Sequence, residues 1–221
     1  MRWNKSQDDK CALCGGVETL NHVLSACKEA LGSGRYTWRH NEVLKKISEA
    51  VDGARKQANE KRSAQGRVAP SRAKPVESIL DAASDWKMAV DLPGVREYPE
   101  VVKQSGLRPD MVLSSESSRT LVMVELTVPY ESNMSESHEF KLAKYEGLTS
   151  DIRKQGYKTL LFAVEVGARG LAGASVYSLL KRLGLPNQTC SRYIKQIAEA
   201  AEKASCWIWS RRKERTWSVN I

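Results

Sequence analysis

The chain is 221 residues long, enough for one medium domain and a small satellite. Hydrophobic residues make up 41% and charged residues 28%. That supplies a buried core but leaves too polar a surface for a membrane-embedded protein, and no apolar stretch approaches the roughly 20 residues a spanning helix needs. The formal net charge of +9 favours polyanionic partners through counterion release.

The N-terminus lacks the apolar core of a secretory signal, so the five cysteines are expected in a reducing compartment rather than in a disulfide framework. Three of them fall in the first thirty residues. Cys11, Cys14, His22 and Cys27 give C-x2-C-x7-H-x4-C. In this pattern a tight turn presents two thiolates, and a short helical segment over Thr19 to Ala30 returns an imidazole and a third thiolate, the donor set of tetrahedral zinc. Gly15 and Gly16 stand where the chain must bend around the sulfurs. Four protein ligands leave no open position, so the metal is expected to be structural, and residues 1–30 form a zinc knuckle that folds only with it.

Apolar residues at Val43, Leu44, Ile47 and Val51 recur at helical spacing over Arg39 to Val51. The polar stretch from Gly53 to Pro75, with Arg55, Lys56, Lys61, Arg62, Arg67, Arg72 and Lys74 against one acid, Glu60, reads as a basic linker. Residues 31–75 thus form a basic helix and linker, and residues 76–221 a third unit. Its expected elements are a helix at Val76 to Ala83, strands at Asp85 to Leu92, Leu107 to Leu113 and Thr120 to Val128, a helix at Ser137 to Gly156, a strand at Lys158 to Val166, and helices at Ala174 to Leu183 and Thr189 to Ser205. This alternation predicts an α/β domain whose mixed sheet is covered by helices. Cys190 and Cys206 fall at apolar positions and are expected in the core. Near the C-terminus Arg211, Arg212, Lys213 and Arg215 interleave with Trp207, Trp209 and Trp217, a mixture suited to phosphate contacts and base stacking.

The chemistry gathers around Asp110 and Glu125. In a hairpin turning near Ser117 and Ser118, paired positions sum to about 235, so Asp110 stands opposite Glu125 with both side chains on one face. Glu125 lies in an apolar run, where a carboxylate is costly unless a cation compensates it. A divalent metal, Mg²⁺ or Mn²⁺, does this, and the pair is a candidate site for phosphodiester hydrolysis.

Arg108-Pro109-Asp110 followed by Glu125-Leu126-Thr127 resembles the PD-(D/E)xK nuclease signature. With the zinc knuckle, Arg35-Tyr-Thr-Trp-Arg39-His40, Val124-Glu-Leu-Thr-Val-Pro-Tyr-Glu131 and Lys141-Leu-Ala-Lys144-Tyr145, nearly the whole chain resembles the C-terminal region of site-targeted non-LTR retrotransposon proteins. The resemblance implies a restriction-endonuclease-like core that nicks target DNA and leaves a 3′-hydroxyl to prime reverse transcription. It also implies an upstream reverse transcriptase segment missing from this chain, a DNA target, a template RNA and a nuclear location. It further implies that the metal is held by Asp110, Glu125 and the Leu126 carbonyl. The signature's lysine would stand at Thr127; the resemblance implies that Lys141 or Lys144 replaces it from the next helix, with Tyr145 beside them. Arg35, Arg39, His40, Arg55, Lys56, Arg108 and Tyr145 are expected to bind DNA. Glu131 is a candidate for a second metal or for capping the helix, and Glu77 a weaker one. The alternatives are a nucleic-acid-binding module without cleavage and a junction-resolving nuclease with the same core.

Overall fold

The computed structural model describes residues 9–65, 78–93 and 97–218. Arg67, Arg72, Lys74, Glu77 and the Arg62 side chain therefore lie outside the described residues. A π-helical turn (His22–Ala26) and a short helix α1 (Lys28–Gly32) lead into the long α2 (Arg35–Gln65). A 3₁₀ turn (Ile79–Ala82), β1 (Lys87–Val90), α3 (Glu100–Lys103), β2 (Met111–Ser115) and β3 (Thr120–Thr127) come next, and α4 (Met134–Lys154), β4 (Lys158–Glu165), α5 (Ala174–Arg182) and α6 (Asn187–Ser210) complete the order. The fold is mixed α/β, with a four-stranded sheet in the order β1-β2-β3-β4. The first three strands run antiparallel and β4 lies parallel to β3.

The two-residue period of a strand explains why β3 is almost wholly apolar. Its even side chains, Val122, Val124 and Leu126, join Met111, Leu113, Val164 and residues of α2, α5 and α6 in one core. Leu121 and Met123 face the opposite way, into a second core with Val112 and with Tyr145, Leu148 and Ile152 of α4. The sheet is thus covered on both faces, and Glu125 falls on the α4 side of its buried central strand.

The four expected strands and the helices after β3 all form, with ends shifted by a few residues. β2 begins at Met111 instead of Leu107, since Pro109 has no N–H to pair, and it runs into the serine-rich turn. There Asp85 takes the place of further strand partners: Ser115 Oγ (2.6 Å), Ser117 Oγ (2.6 Å) and Ser117 N (2.9 Å) all donate to it.

The linker expected from Gly53 is corrected by α2, which continues as helix to Gln65. Its polar residues are used in tertiary bonds. Asn59 accepts from Trp86 N at 3.1 Å and donates to Trp86 O at 3.1 Å, while Arg55 Nη1 donates to the same carbonyl at 3.0 Å. Cys206 also departs from expectation: on α6 the buried residues are Cys190, Ile197, Ala201, Ala204, Ser205 and Ile208, and Cys206 projects from the other side into solvent.

Candidate functional site

Ligand atoms of Cys11, Cys14, His22 and Cys27 all lie within 4.8 Å of one another. Cys11 Sγ and Cys27 Sγ are 3.9 Å apart and Cys14 Sγ is 3.1 Å from His22 Nε2. A zinc tetrahedron with bonds of about 2.3 Å has sulfur–sulfur edges of about 3.8 Å, so the donor set could hold a metal such as zinc. Gly15 supplies the turn with a left-handed φ of +75°, and a Cβ on Gly16 would stand 3.3 Å from the His22 ring. Burial pushes the Cys27 thiol up to about 11, so a bound cation must displace its proton.

This cluster is not a free satellite. Val23 and Leu24 pack with Ala168, Ile208, Tyr130 and Trp209. The Tyr36 hydroxyl accepts from Cys27 N at 3.2 Å and donates to the Val23 carbonyl at 3.0 Å. Arg212 Nε reaches Glu18 at 2.8 Å.

Two of the residues expected to touch DNA serve this junction instead. Arg35 is 1% exposed and donates to the carbonyls of Arg211 (2.9 Å) and Glu214 (2.5 Å), satisfying the backbone beyond the end of α6. Arg39 is equally buried, bonded to Ser205 Oγ (3.1 Å) and Val128 O (3.0 Å), and burial lowers its pKa to about 10. Their guanidiniums are thus largely taken up by protein acceptors, two carbonyls for Arg35 and one carbonyl and one hydroxyl for Arg39, instead of standing exposed as phosphate contacts would. The tryptophan-rich tail is also partly committed internally, with Arg212 over Trp209 at 4.2 Å and Arg35 over Trp217 at 4.6 Å. Arg55 is tied to Asp52 and Trp86; Lys56 contacts Asp52 at 2.8 Å but stays exposed, as does Arg108.

The second centre sits at one end of the sheet. The ladder pairs Met111 with Val124 and Val90 with Met111, so the next row is Asp91, Asp110 and Glu125, on the face turned to α4. Asp91 adds a third acid to the row, and its one sign in the sequence is an acidic residue directly after the first strand. Its N–H donates to Asp110 O at 2.8 Å. Asp110 Oδ2 accepts from Leu126 N at 2.7 Å, and Asp110 N donates to Glu125 Oε2 at 3.1 Å. Glu125 is 2% exposed. Burial and then the charge of Asp110 raise its pKa above the usual carboxylate range, with Lys141 pulling the other way.

Of the two candidate lysines, Lys141 Nζ stands 2.5 Å from Glu125 Oε1; Lys144 is 3.9 Å away and lies over the Tyr145 ring. Tyr145 is fully buried beneath the pair and donates to the Arg108 carbonyl at 2.9 Å, so it does not face DNA as expected. Glu131 is committed to Arg169, through Nε at 2.8 Å and the backbone N–H at 2.7 Å, which corrects both roles anticipated for it.

A cleft of about 480 Å³ opens over this row. Asp91, Asp110, Leu126 and Thr127 lie on its sheet side, His40 and Asn41 come from α2, Asn133 from just before α4, Lys141 from two turns into that helix, and Ser25 and Leu31 from beside the cysteine cluster. His40, expected to meet DNA, instead brings Nε2 to 3.3 Å from Asp110 Oδ2.

These features define a mixed α/β protein with a four-stranded mixed sheet, a Cys/His cluster near the N-terminus and a cleft at the sheet end lined by both acidic and basic side chains. No protein-family model matches the chain, and no curated protein matches it. Among the described residues no helix is long and apolar enough to cross a membrane.

Proposed function

We propose that the chain is a metal-dependent DNA endonuclease with a restriction-enzyme-like core and a structural zinc unit, the activity implied by its resemblance to site-targeted non-LTR retrotransposon proteins. The observation that carries this reading is Lys141 Nζ, 2.5 Å from Glu125 Oε1. A helix there supplies the cation missing from the strand at Thr127.

The fit to a divalent cation rests on the donor set. Two carboxylates stand side by side, and the buried one is raised in pKa by burial and by its neighbour's charge, so a cation between them relieves a cost the fold already bears. Asp110 and Glu125 with the Leu126 carbonyl would hold Mg²⁺ or Mn²⁺. When bound, the ion polarises the scissile phosphoryl group and lowers the pKa of a water molecule.

The protein's own side chains supply the rest. Lys141 orients the attacking water and offsets negative charge that develops on the phosphoryl oxygens. Tyr145 holds the floor under Glu125. Thr127 carries no charge and contributes little. The products are a 5′-phosphate and a 3′-hydroxyl, the latter available to a reverse transcriptase segment upstream. The partners are then a DNA target and a template RNA, and the location nuclear.

Nicking of supercoiled plasmid tests this. Asp110→Ala should abolish Mg²⁺-dependent nicking and retain DNA binding. Lys141→Ala should slow it about 10²-fold, the usual loss of a transition-state charge stabiliser, with smaller effects for Lys144→Ala and Thr127→Ala. Wild-type protein that binds DNA without nicking it in Mg²⁺ or Mn²⁺ would reject the enzyme and leave a binding module. Preferential cutting of branched over linear duplex would redirect the reading to junction resolution.

A further inference from the structure

Asp110 is held from two sides. Within the sheet, Leu126 N donates to its Oδ2 at 2.7 Å. From outside the sheet, His40 Nε2 approaches the same oxygen at 3.3 Å. An ionised carboxylate only accepts hydrogen bonds, so the ring nitrogen facing it is the protonated one and donates. The other ring nitrogen, Nδ1, faces the side-chain amide of Asn41 at 3.3 Å. With both donors on Oδ2, Oδ1 is the oxygen to which no hydrogen bond is formed among the described residues. The His40 and Asp110 side chains are 24% and 13% exposed and both line the cleft, so the contact is sheltered but borders the space a substrate would occupy.

The origin of His40 gives the contact its interest. It belongs to α2, not to the sheet or to α4, which supply the other groups of the acidic site. One turn earlier, Tyr36 is bonded to the backbone of Cys27 and Val23. Arg39, its immediate neighbour, is anchored to Val128 just beyond β3 and to Ser205 of α6. The first turns of α2 are therefore fixed on several sides, and the imidazole is presented to Asp110 from a rigid support.

We infer that His40 is a positioning residue for a divalent cation at the Asp110–Glu125 pair: its Nε2–H and the Leu126 amide together hold Oδ2 and leave Oδ1 to the ion. This rests on the reading of Asp110 and Glu125 as a cation-holding pair, and it adds a group that neither the strand signature nor the helix lysine contains. Partners that orient a ligating carboxylate are worth about 10- to 100-fold in metal affinity. A residue that merely packed would be replaceable by any side chain of its size.

The test is Mn²⁺ binding to the zinc-loaded full chain, followed by the electron paramagnetic resonance signal of free Mn²⁺, for wild type, Asp110→Ala, His40→Leu and His40→Gln. Leucine fills the space without a donor, whereas the glutamine amide restores a donor near the position of Nε2. Zinc content and the thermal melt verify folding of each variant. His40→Leu should weaken Mn²⁺ binding about tenfold or more, and His40→Gln should stay within a few-fold of wild type. Wild-type affinity in His40→Leu overturns the proposal. So does a His40→Gln variant as weak as His40→Leu, which would make the imidazole a direct ligand. Absence of any wild-type Mn²⁺ binding that Asp110→Ala removes is a different failure, because it rejects the cation pair itself.

Discussion

Stripping the cysteine cluster of the zinc it could hold should weaken the whole protein, not only its first residues. The perturbation is Cys14→Ser, or a strong chelator, either of which opens a unit too small to fold without its metal. Val23 and Leu24 are 4% and 2% exposed, and they cover Ile208, which is 1% exposed, together with Ala168. Burial of such a side chain contributes about 1.5–3 kcal/mol, so losing this pair costs about 3–6 kcal/mol before the Tyr36 hydrogen bonds are counted. For a chain of this size each kcal/mol shifts the melting temperature by about 2–4 °C, so the core transition should fall by roughly 6–24 °C. Scanning calorimetry of wild type with and without chelator, with zinc content measured in parallel, provides the assay. Tryptophan emission offers a second signal, because Trp209 and Trp217 pack in the same cluster. A core transition that stays at the same temperature after the zinc has gone would refute the reasoning and make the cysteine unit an independent module.

The remaining predictions concern the carboxylates. Glu125 has a folded-state pKa raised above its unfolded value, so it favours folding only while protonated, at and below about pH 4.3, and that contribution is lost as pH rises through the folded value. Glu125→Gln should therefore melt higher than wild type at pH 7.5 and match it at pH 4, while losing nicking; a lower melting temperature at pH 7.5 would contradict this. Asp85 has the opposite sign: partial burial opposes ionisation, but the Ser115 and Ser117 donors outweigh it and hold the carboxyl down at about 2. Its contribution is present above about pH 4 and disappears as pH falls toward 2. Asp85→Ala should cost about 1–3 kcal/mol at pH 7, for three hydrogen bonds to a partly exposed group, and denaturant melts across pH 2–7 should show that gap closing in acid.

The sheet and its acidic pair were legible because they rest on a strict period. A hairpin whose paired positions share one sum carries Asp110 to Glu125 without any tertiary information, and the observed pairing of Met111 with Val124 is the same register. Four cysteine and histidine ligands in fixed spacing were equally readable. The arginines were not. Arg35 and Arg39 look like phosphate contacts in a basic chain, and only the fold reveals that carbonyls of Arg211, Glu214 and Val128 surround them. The second half of α2 was hidden for a related reason, since Arg55 and Asn59 are held by the Trp86 backbone and leave no long apolar stripe to detect. Asp91 joins the row only through the pairing of β1 with β2, a contact between segments some twenty residues apart that no local pattern announces.

The length of α2 bears on how such a protein can be divided or recombined. Its 31 residues make a rod of roughly 46 Å. One end touches the backbone of the cysteine unit, the next turn reaches Asp110, and the last third grips Trp86. No cut within that rod yields two halves that each keep their contacts. A chimera exchanging the N-terminal unit would need the matching end of α6 and the tail carbonyls that receive Arg35 as well. Segments that are distant in the chain are therefore constrained to be inherited as one piece.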